Sequence, residues 1–312
     1  MGNRGFKLFS FLVLFLTFSC ASLSTRGDSR LPEVQASLLK EKISNGRLQQ
    51  IFVKFPLKSK KDWVSAYETG DLTIQAEWNQ KIIPFFIDQQ DNDGIVFRGL
   101  LGIPYREPVG PKKISVQIEF DGYQWEQHLM FEVFEGKYKA EKLRVAPRKI
   151  KPNPSDEKRI EKEYLETRKI YQTRTPIKYW KGPFRLPIRS GVTSPYGTKR
   201  LYNKSFSGYH SGLDLRARTG APIRAPESGK VVLAKPLFFT GGTVILDHGY
   251  GLFTVYAHLS KITVELNQIL KKGDRIGLAG ATGRVTGPHL HWGMTVQQAK
   301  INPLEMTKKG IR

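Results

Sequence analysis

A chain of 312 residues has room for two domains, each with its own core. Its single cysteine, Cys20, excludes a disulfide framework, and its net charge of +22 points to an anionic partner or surface. Lysine and arginine are spread along the whole length without a recognisable nucleic-acid module, so nucleic acid is not the expected partner.

Arg4 and Lys7 precede an apolar run from Leu8 to Phe18. Such a run is too short to span a bilayer, which takes ~20 residues, and fits a secretory signal over residues 1–20. Ser19 before Cys20 resembles a lipoprotein processing site, although Thr17 and Phe18 depart from the usual pattern. Ser19-Cys20-Ala21 equally fits ordinary small-x-small cleavage. The expectation is an exported protein of the periplasm or cell envelope, anchored to a membrane through a lipid-modified Cys20, with residues 21–40 as a polar tether.

Residues 41–146 read as a β-sandwich of immunoglobulin-like type. Leu48 to Phe55, Leu72-x-Ile74-x-Ala76-x-Trp78 and Ile114-x-Val116-x-Ile118-x-Phe120 contain period-two alternation, as half-buried strands do. Asp121-Gly122 then predicts a tight hairpin turn into Tyr123-x-Trp125 and Leu129-x-Phe131-x-Val133. Asp88 to Gly94 is acidic, but it lacks EF-hand spacing and reads as a plain turn; His128 reads as a lone, half-exposed sheet residue. No catalytic constellation lies in this half.

Residues 147–178 form a charged joint. Asn153-Pro154-Ser155-Asp156 offers a capping residue, proline at the first helical position and an acid in the first turn. Ile160, Tyr164, Thr167 and Tyr171 follow at helical spacing, predicting one helix with a narrow apolar stripe laid against one domain, with a mobile charged linker as the alternative.

Residues 179–312 carry short strands punctuated by glycine and proline, which predicts an antiparallel β-domain. Thr243 to Asp247 and Leu252 to Tyr256 flank His248-Gly249-Tyr250-Gly251 as a hairpin, with His248 a structural residue of the turn. Four of the six histidines fall in three glycine-flanked motifs. In Thr286-Gly287-Pro288-His289-Leu290-His291-Trp292, proline disfavours helix. An extended His289-Leu290-His291 sends both imidazoles from one face, ~6.6 Å apart at the strand rise, with Leu290 and Trp292 turned to a core.

His210-Ser211-Gly212-Leu213-Asp214 adds a histidine and a carboxylate, which with one histidine of the later pair make three ligands and leave a fourth position for water. A straight strand would hold His210 and Asp214 about 13 Å apart, so the backbone must bend, and Gly212 is the expected place. His258, ending the run Val255-Tyr256-Ala257-His258, is placed to complete the cleft. Cys20 is spent in the export region, and neither a Gly-x-Ser-x-Gly elbow nor a His-Glu-x-x-His helix is present.

The three motifs together, His210-x-x-x-Asp214, Tyr256-Ala257-His258-Leu259 and Thr286-Gly287-Pro288-His289-Leu290-His291, resemble those of the lysostaphin-type zinc endopeptidases, also called LytM-type or β-lytic. The resemblance runs from about Leu186 to Pro303 with no departure at the five site positions. It implies Zn2+ held by His210, Asp214 and His291, with His258 and His289 acting on water and the transition state. It also implies a groove across an antiparallel sheet, and peptidoglycan, cut at a peptide bond, as partner and substrate. The alternatives are a non-cleaving wall-binding protein or amidase activator, and a secreted protease acting on proteins. Neither the bond cut nor the oligomeric state is encoded in these motifs.

Overall fold

The computed structural model describes residues 34–56, 63–91, 93–143, 152–202 and 206–307. The export segment and Cys20 lie outside the described residues, as does most of the tether. Among the described residues, no helix is long and apolar enough to cross a membrane.

The front half contains β1 (Gln35–Leu38), β2 (Lys42–Ser44), β3 (Leu48–Phe55), a short α1 (Trp63–Thr69), β4 (Leu72–Trp78), β5 (Lys81–Asp91), β6 (Gly94–Gly102), β7 (Gly110–Phe120) and β8 (Tyr123–Phe134). Their order is β1-β3-β6-β5-β4-β7-β8-β2. Strand β5 serves two neighbours in turn: Lys81 to Pro84 pair with β4, and from Phe85 onward it pairs with β6. Ile51, Val53 and Phe97 on one side and Ile74, Val116 and Phe131 on the other then share one core.

The alternating runs predicted from sequence are β3, β4, β7 and β8. Asp121 and Gly122 both take positive φ, 51° and 75°, as a turn whose twist matches its strands requires. Two expectations are corrected. The stretch assigned to the tether ends in a strand, because Gln35 to Leu38 pair with Lys54 to Ile51. The acids read as a turn are largely strand: Asp88 to Asp91 belong to β5, where Asp88 is salt-bridged to Arg98. His128 stands exposed on β8.

The link between the halves consists of β9 (Ala140–Leu143), within the residues expected of the sandwich but paired with β11 (Lys199–Tyr202), and α2 (Pro154–Gln172), within the expected joint. The Asn153 side chain accepts from the Asp156 amide at 2.8 Å, the expected cap. Helix α2 docks on the C-terminal domain, where Ile170 and Tyr171 pack against Leu233, Ile245 and Phe253. The rest of the docking face is polar instead of the predicted apolar stripe. Glu163 accepts from the Phe238 amide at 2.8 Å, Glu166 pairs with Lys235 at 2.7 Å, and Tyr164 is 60% exposed.

The C-terminal domain contains β10 (Val192–Ser194), β11 (Lys199–Tyr202), β12 (Phe206–Tyr209), β13 (Gly212–Arg216), β14 (Pro222–Arg224), β15 (Gly229–Leu237), β16 (Gly241–Gly249), β17 (Leu252–Ile262), β18 (Ile269–Leu270), β19 (Arg275–Ala279), β20 (His289–Val296) and β21 (Ala299–Ile301). A 3-10 turn, Pro303–Met306, follows. The main sheet runs β10-β13-β20-β17-β16-β15-β18, antiparallel between neighbours, which agrees with the mainly β expectation. A separate small sheet joins the β11–β12 hairpin to β9, with β9 parallel to β11.

The two halves are packed together. Leu48, Phe86 and Leu100 of the front half belong to the same buried cluster as Trp180, Leu290 and Trp292. Beside it Arg47 Nη1 donates to Glu305 at 2.5 Å, and the Asn302 amide to the Gly46 carbonyl at 3.0 Å. His248 lies fully buried in β16 and not in the turn itself. Its Nδ1 donates to the Ser228 carbonyl at 2.6 Å, and its Nε2 lies 2.7 Å from Thr254 Oγ1, which in turn lies 2.7 Å from the Tyr256 hydroxyl. Its role is structural, as expected.

Candidate metal centre

Three neighbouring strands, β13, β20 and β17, and the segment leading into β13 build the site. In β13 and β20, Asp214 stands opposite His291 and Arg216 opposite His289, so antiparallel register alone brings the acid to the histidine pair. Leu290 and Trp292, between and beyond those histidines, are fully buried on the other face. His258 arrives from β17, on the far side of β20, where Ala257 is the partner of His291. There the register with β16 shifts between the Val244–Tyr256 and Gly242–Leu259 pairs, and His258 takes φ 64°. A bulge of this kind re-aims a side chain, here toward the cleft.

Gly212 is the first residue of β13, and the break between β12 and β13 falls at His210 and Ser211, where the His210 amide donates to the Thr198 carbonyl at 2.9 Å and the His210 carbonyl accepts from the Gly197 amide at 2.8 Å. Gly212 serves a different purpose: a Cβ there would sit 2.6 Å from Cε1 and Nε2 of His291, space that the ring needs.

Three ligand atoms converge. His210 Nε2 and His291 Nδ1 each lie 2.9 Å from Asp214 Oδ1 and 3.0 Å from one another. A tetrahedral ion with bonds of about 2.0–2.1 Å has ligand atoms about 3.3 Å apart, so the triangle is close to the right size. His289 Nε2 lies 3.6 Å from the same oxygen, too far for a hydrogen bond. The His258 ring is centred 4.9 Å from that of His289 and 5.9 Å from that of His291. All five residues predicted from sequence therefore meet at one place.

Backbone carbonyls fix three of the rings. His210 Nδ1 donates to Pro195 at 3.0 Å, His258 Nδ1 to Thr282 at 2.9 Å and His289 Nδ1 to Gly287 at 2.9 Å. Each bond sets the tautomer and leaves Nε2 facing the cleft. His291 instead presents Nδ1 to the centre. These carbonyl partners carry no side-chain signature, and the sequence motifs miss them. The same holds for Arg200 of β11, whose Nη2 lies 3.3 Å from Asp214 Oδ2.

The charge states suit a cation. Burial by itself would raise the Asp214 carboxyl, but hydrogen bonds from His210 and His291 hold it well below the usual carboxylate range. Burial lowers His291, and it pushes His258 down to about 3 with repulsion from His291 adding to the effect. An ionised aspartate and neutral imidazoles are the protonation states that a metal requires. The donor set, two nitrogens and one oxygen from three residues, fits a catalytic zinc site, which takes three protein ligands.

Comparison with known proteins agrees with this geometry. Residues 208–303 match peptidase family M23. The peptidoglycan DD-endopeptidase ShyA of Vibrio cholerae is 41% identical over 124 residues, covering 39% of this chain and 29% of that protein. The cell division protein DipM of Caulobacter vibrioides is 34% identical over 148 residues, covering 46% and 22%. The chain thus spans less than a third of the length of these relatives. A crystal structure from Pseudomonas aeruginosa, described as an M23 peptidase, is 28% identical with a TM-score of 0.61, covering 84% of this chain and 93% of that one. That coverage takes in the front half as well as the site. The C-terminal part of the chain thus contains, at residues 208–303, a domain that matches peptidase family M23.

Proposed function

We propose that the protein is a zinc endopeptidase that hydrolyses peptide bonds in peptidoglycan. The observation that carries this reading is the convergence of His210, Asp214 and His291 on one point, with His258 and His289 beside it. Two relatives from Vibrio cholerae, ShyA and ShyB, are peptidoglycan DD-endopeptidases, which supports the substrate class.

His210, Asp214 and His291 would hold the ion. Zinc bound there supplies Lewis-acid polarisation of a carbonyl and makes a coordinated water acidic, toward a pKa of ~7. The remaining work belongs to the two other imidazoles. With Nδ1 tied to a carbonyl, each of His258 and His289 offers one ring nitrogen to the reacting atoms. One takes the proton from the attacking water on its bare Nε2 and returns it to the leaving amine; the other, when protonated on both ring nitrogens, donates a hydrogen bond from Nε2 to the developing oxyanion. His258 is buried and neutral, whereas His289 sits at the more open edge with an 18% exposed side chain.

The segment before the described residues completes the reading: export by residues 1–20 and membrane attachment through Cys20 would place the site beside the cell wall. The excess of positive charge favours retention on anionic wall polymers. The test is His289→Ala. It should abolish release of fragments from purified peptidoglycan while leaving zinc bound. Loss of zinc in that variant would overturn the assignment of roles.

A further inference from the structure

We propose that Arg200 is a positioning residue for the metal centre and that Glu141, from the link between the two halves, holds it in place. The proposal rests on the metallopeptidase reading above.

The two oxygens of Asp214 face different partners. Oδ1 is turned to His210 and His291, 2.9 Å from each, and Oδ2 is turned to Arg200 Nη2 at 3.3 Å. A guanidinium on Oδ2 stops the carboxylate from rotating and leaves Oδ1 alone to meet the ion. Arg200 is itself fixed at two further points: Nη2 donates to Ser194 Oγ at 3.0 Å, and Nε donates to Glu141 Oε1 at 2.6 Å. Strand register sets up both contacts, since Arg200 is the partner of Glu141 in the β9–β11 ladder and Ser194 that of Asp214 in the β10–β13 ladder.

Glu141 also answers an electrostatic difficulty. A cation next to a ligand carboxylate opposes a divalent ion a few ångströms away. The Glu141 carboxylate offsets that charge while keeping the guanidinium aligned. Arg200 and Asp214 are well shielded, with side chains 17% and 9% exposed, so their contact is not a surface pairing screened by solvent; Glu141, at 32%, is the more open end of the chain of contacts. Arg200 and Glu141 both lie outside the family-matched residues 208–303. The metal centre therefore reaches into a part of the chain that the shared motifs do not cover.

The experiment is zinc affinity of the full chain, read by competition with a chromophoric chelator, for Arg200→Ala, Glu141→Gln and the double variant. Outer contacts of this sort are worth ~10–100-fold in metal affinity. Arg200→Ala should weaken zinc within that range, Glu141→Gln should weaken it by less, and the double variant should bind no more weakly than Arg200→Ala alone. Thermal melts of the zinc-free forms show whether each variant is folded. Should Arg200→Ala fail to fold, Glu141→Gln and Arg200→Lys carry the test, with Lys expected to bind more weakly than the unmodified chain. Affinity within twofold of the unmodified chain in every folded variant would overturn the proposal, as would additive losses in the double variant. An unmodified chain that binds no zinc would instead overturn the metallopeptidase reading itself.

Discussion

Gly212→Ala is the smallest change that reaches the centre without touching a ligand. The new methyl would lie 2.6 Å from two atoms of the His291 ring and 2.7 Å from the Trp292 carbonyl oxygen. Carbon atoms pack at about 3.5–4.0 Å, so the ring must retreat by about 1 Å or the β13–β20 ladder must open beside Gly293, the partner of Gly212. Overpacking of this kind costs about 1–3 kcal/mol. Metal ligands tolerate about 0.2 Å, so the same displacement takes His291 Nδ1 out of bonding range. We expect the variant to melt several degrees lower, to remain folded and to bind zinc at least tenfold more weakly. Chelator competition and differential scanning calorimetry on the same preparation measure both. Unchanged zinc affinity in Gly212→Ala would refute the account of why glycine stands there.

Three further expectations follow from the geometry. Thr254→Val removes the hydroxyl that bridges His248 and Tyr256, taking the partner from His248 Nε2 and one of its partners from the Tyr256 hydroxyl, and should cost about 1–3 kcal/mol in stability with zinc binding intact. Burial pushes His248 down to about 4 from 6.5. Between those values the unfolded chain takes up a proton that the folded chain refuses, so stability is unaffected above pH 6.5 and falls as pH drops toward 4. The loss is about 3 kcal/mol, and pH-dependent melts of His248→Asn should lack this component. Retention on purified cell wall, if it comes from the net charge of +22, should decline steeply between low salt and about 1 M, where screening acts within about 3 Å; salt-independent retention would exclude the electrostatic origin.

Much of the site is legible in the sequence because strand periodicity is simple. Once His289-Leu290-His291 is extended, two imidazoles must share a face, and Leu290 and Trp292 must share the other. The hairpin turn at Asp121-Gly122 and the helix cap at Asn153 are equally local and equally readable. Long-range pairing is not. That β5 passes from one neighbour to another at Pro84 and Phe85 depends on contacts far apart in sequence. So does the docking of α2 through Glu163 and Glu166, where the apolar stripe suggested Tyr164. The function of Gly212 could be read as a backbone bend because a glycine permits one; only the neighbouring ring shows that empty space is what the position supplies. Arg200 belongs to no motif, and its importance depends on a parallel pairing with Glu141, some sixty residues earlier.

The most direct measurement is zinc content together with release of soluble fragments from purified peptidoglycan, comparing the chain lacking residues 1–20 with its His291→Ala form. The account predicts about one zinc per unmodified chain, fragments from that chain alone, and little zinc in the variant. Equal fragment release from both forms, or an unmodified chain without zinc, would contradict it.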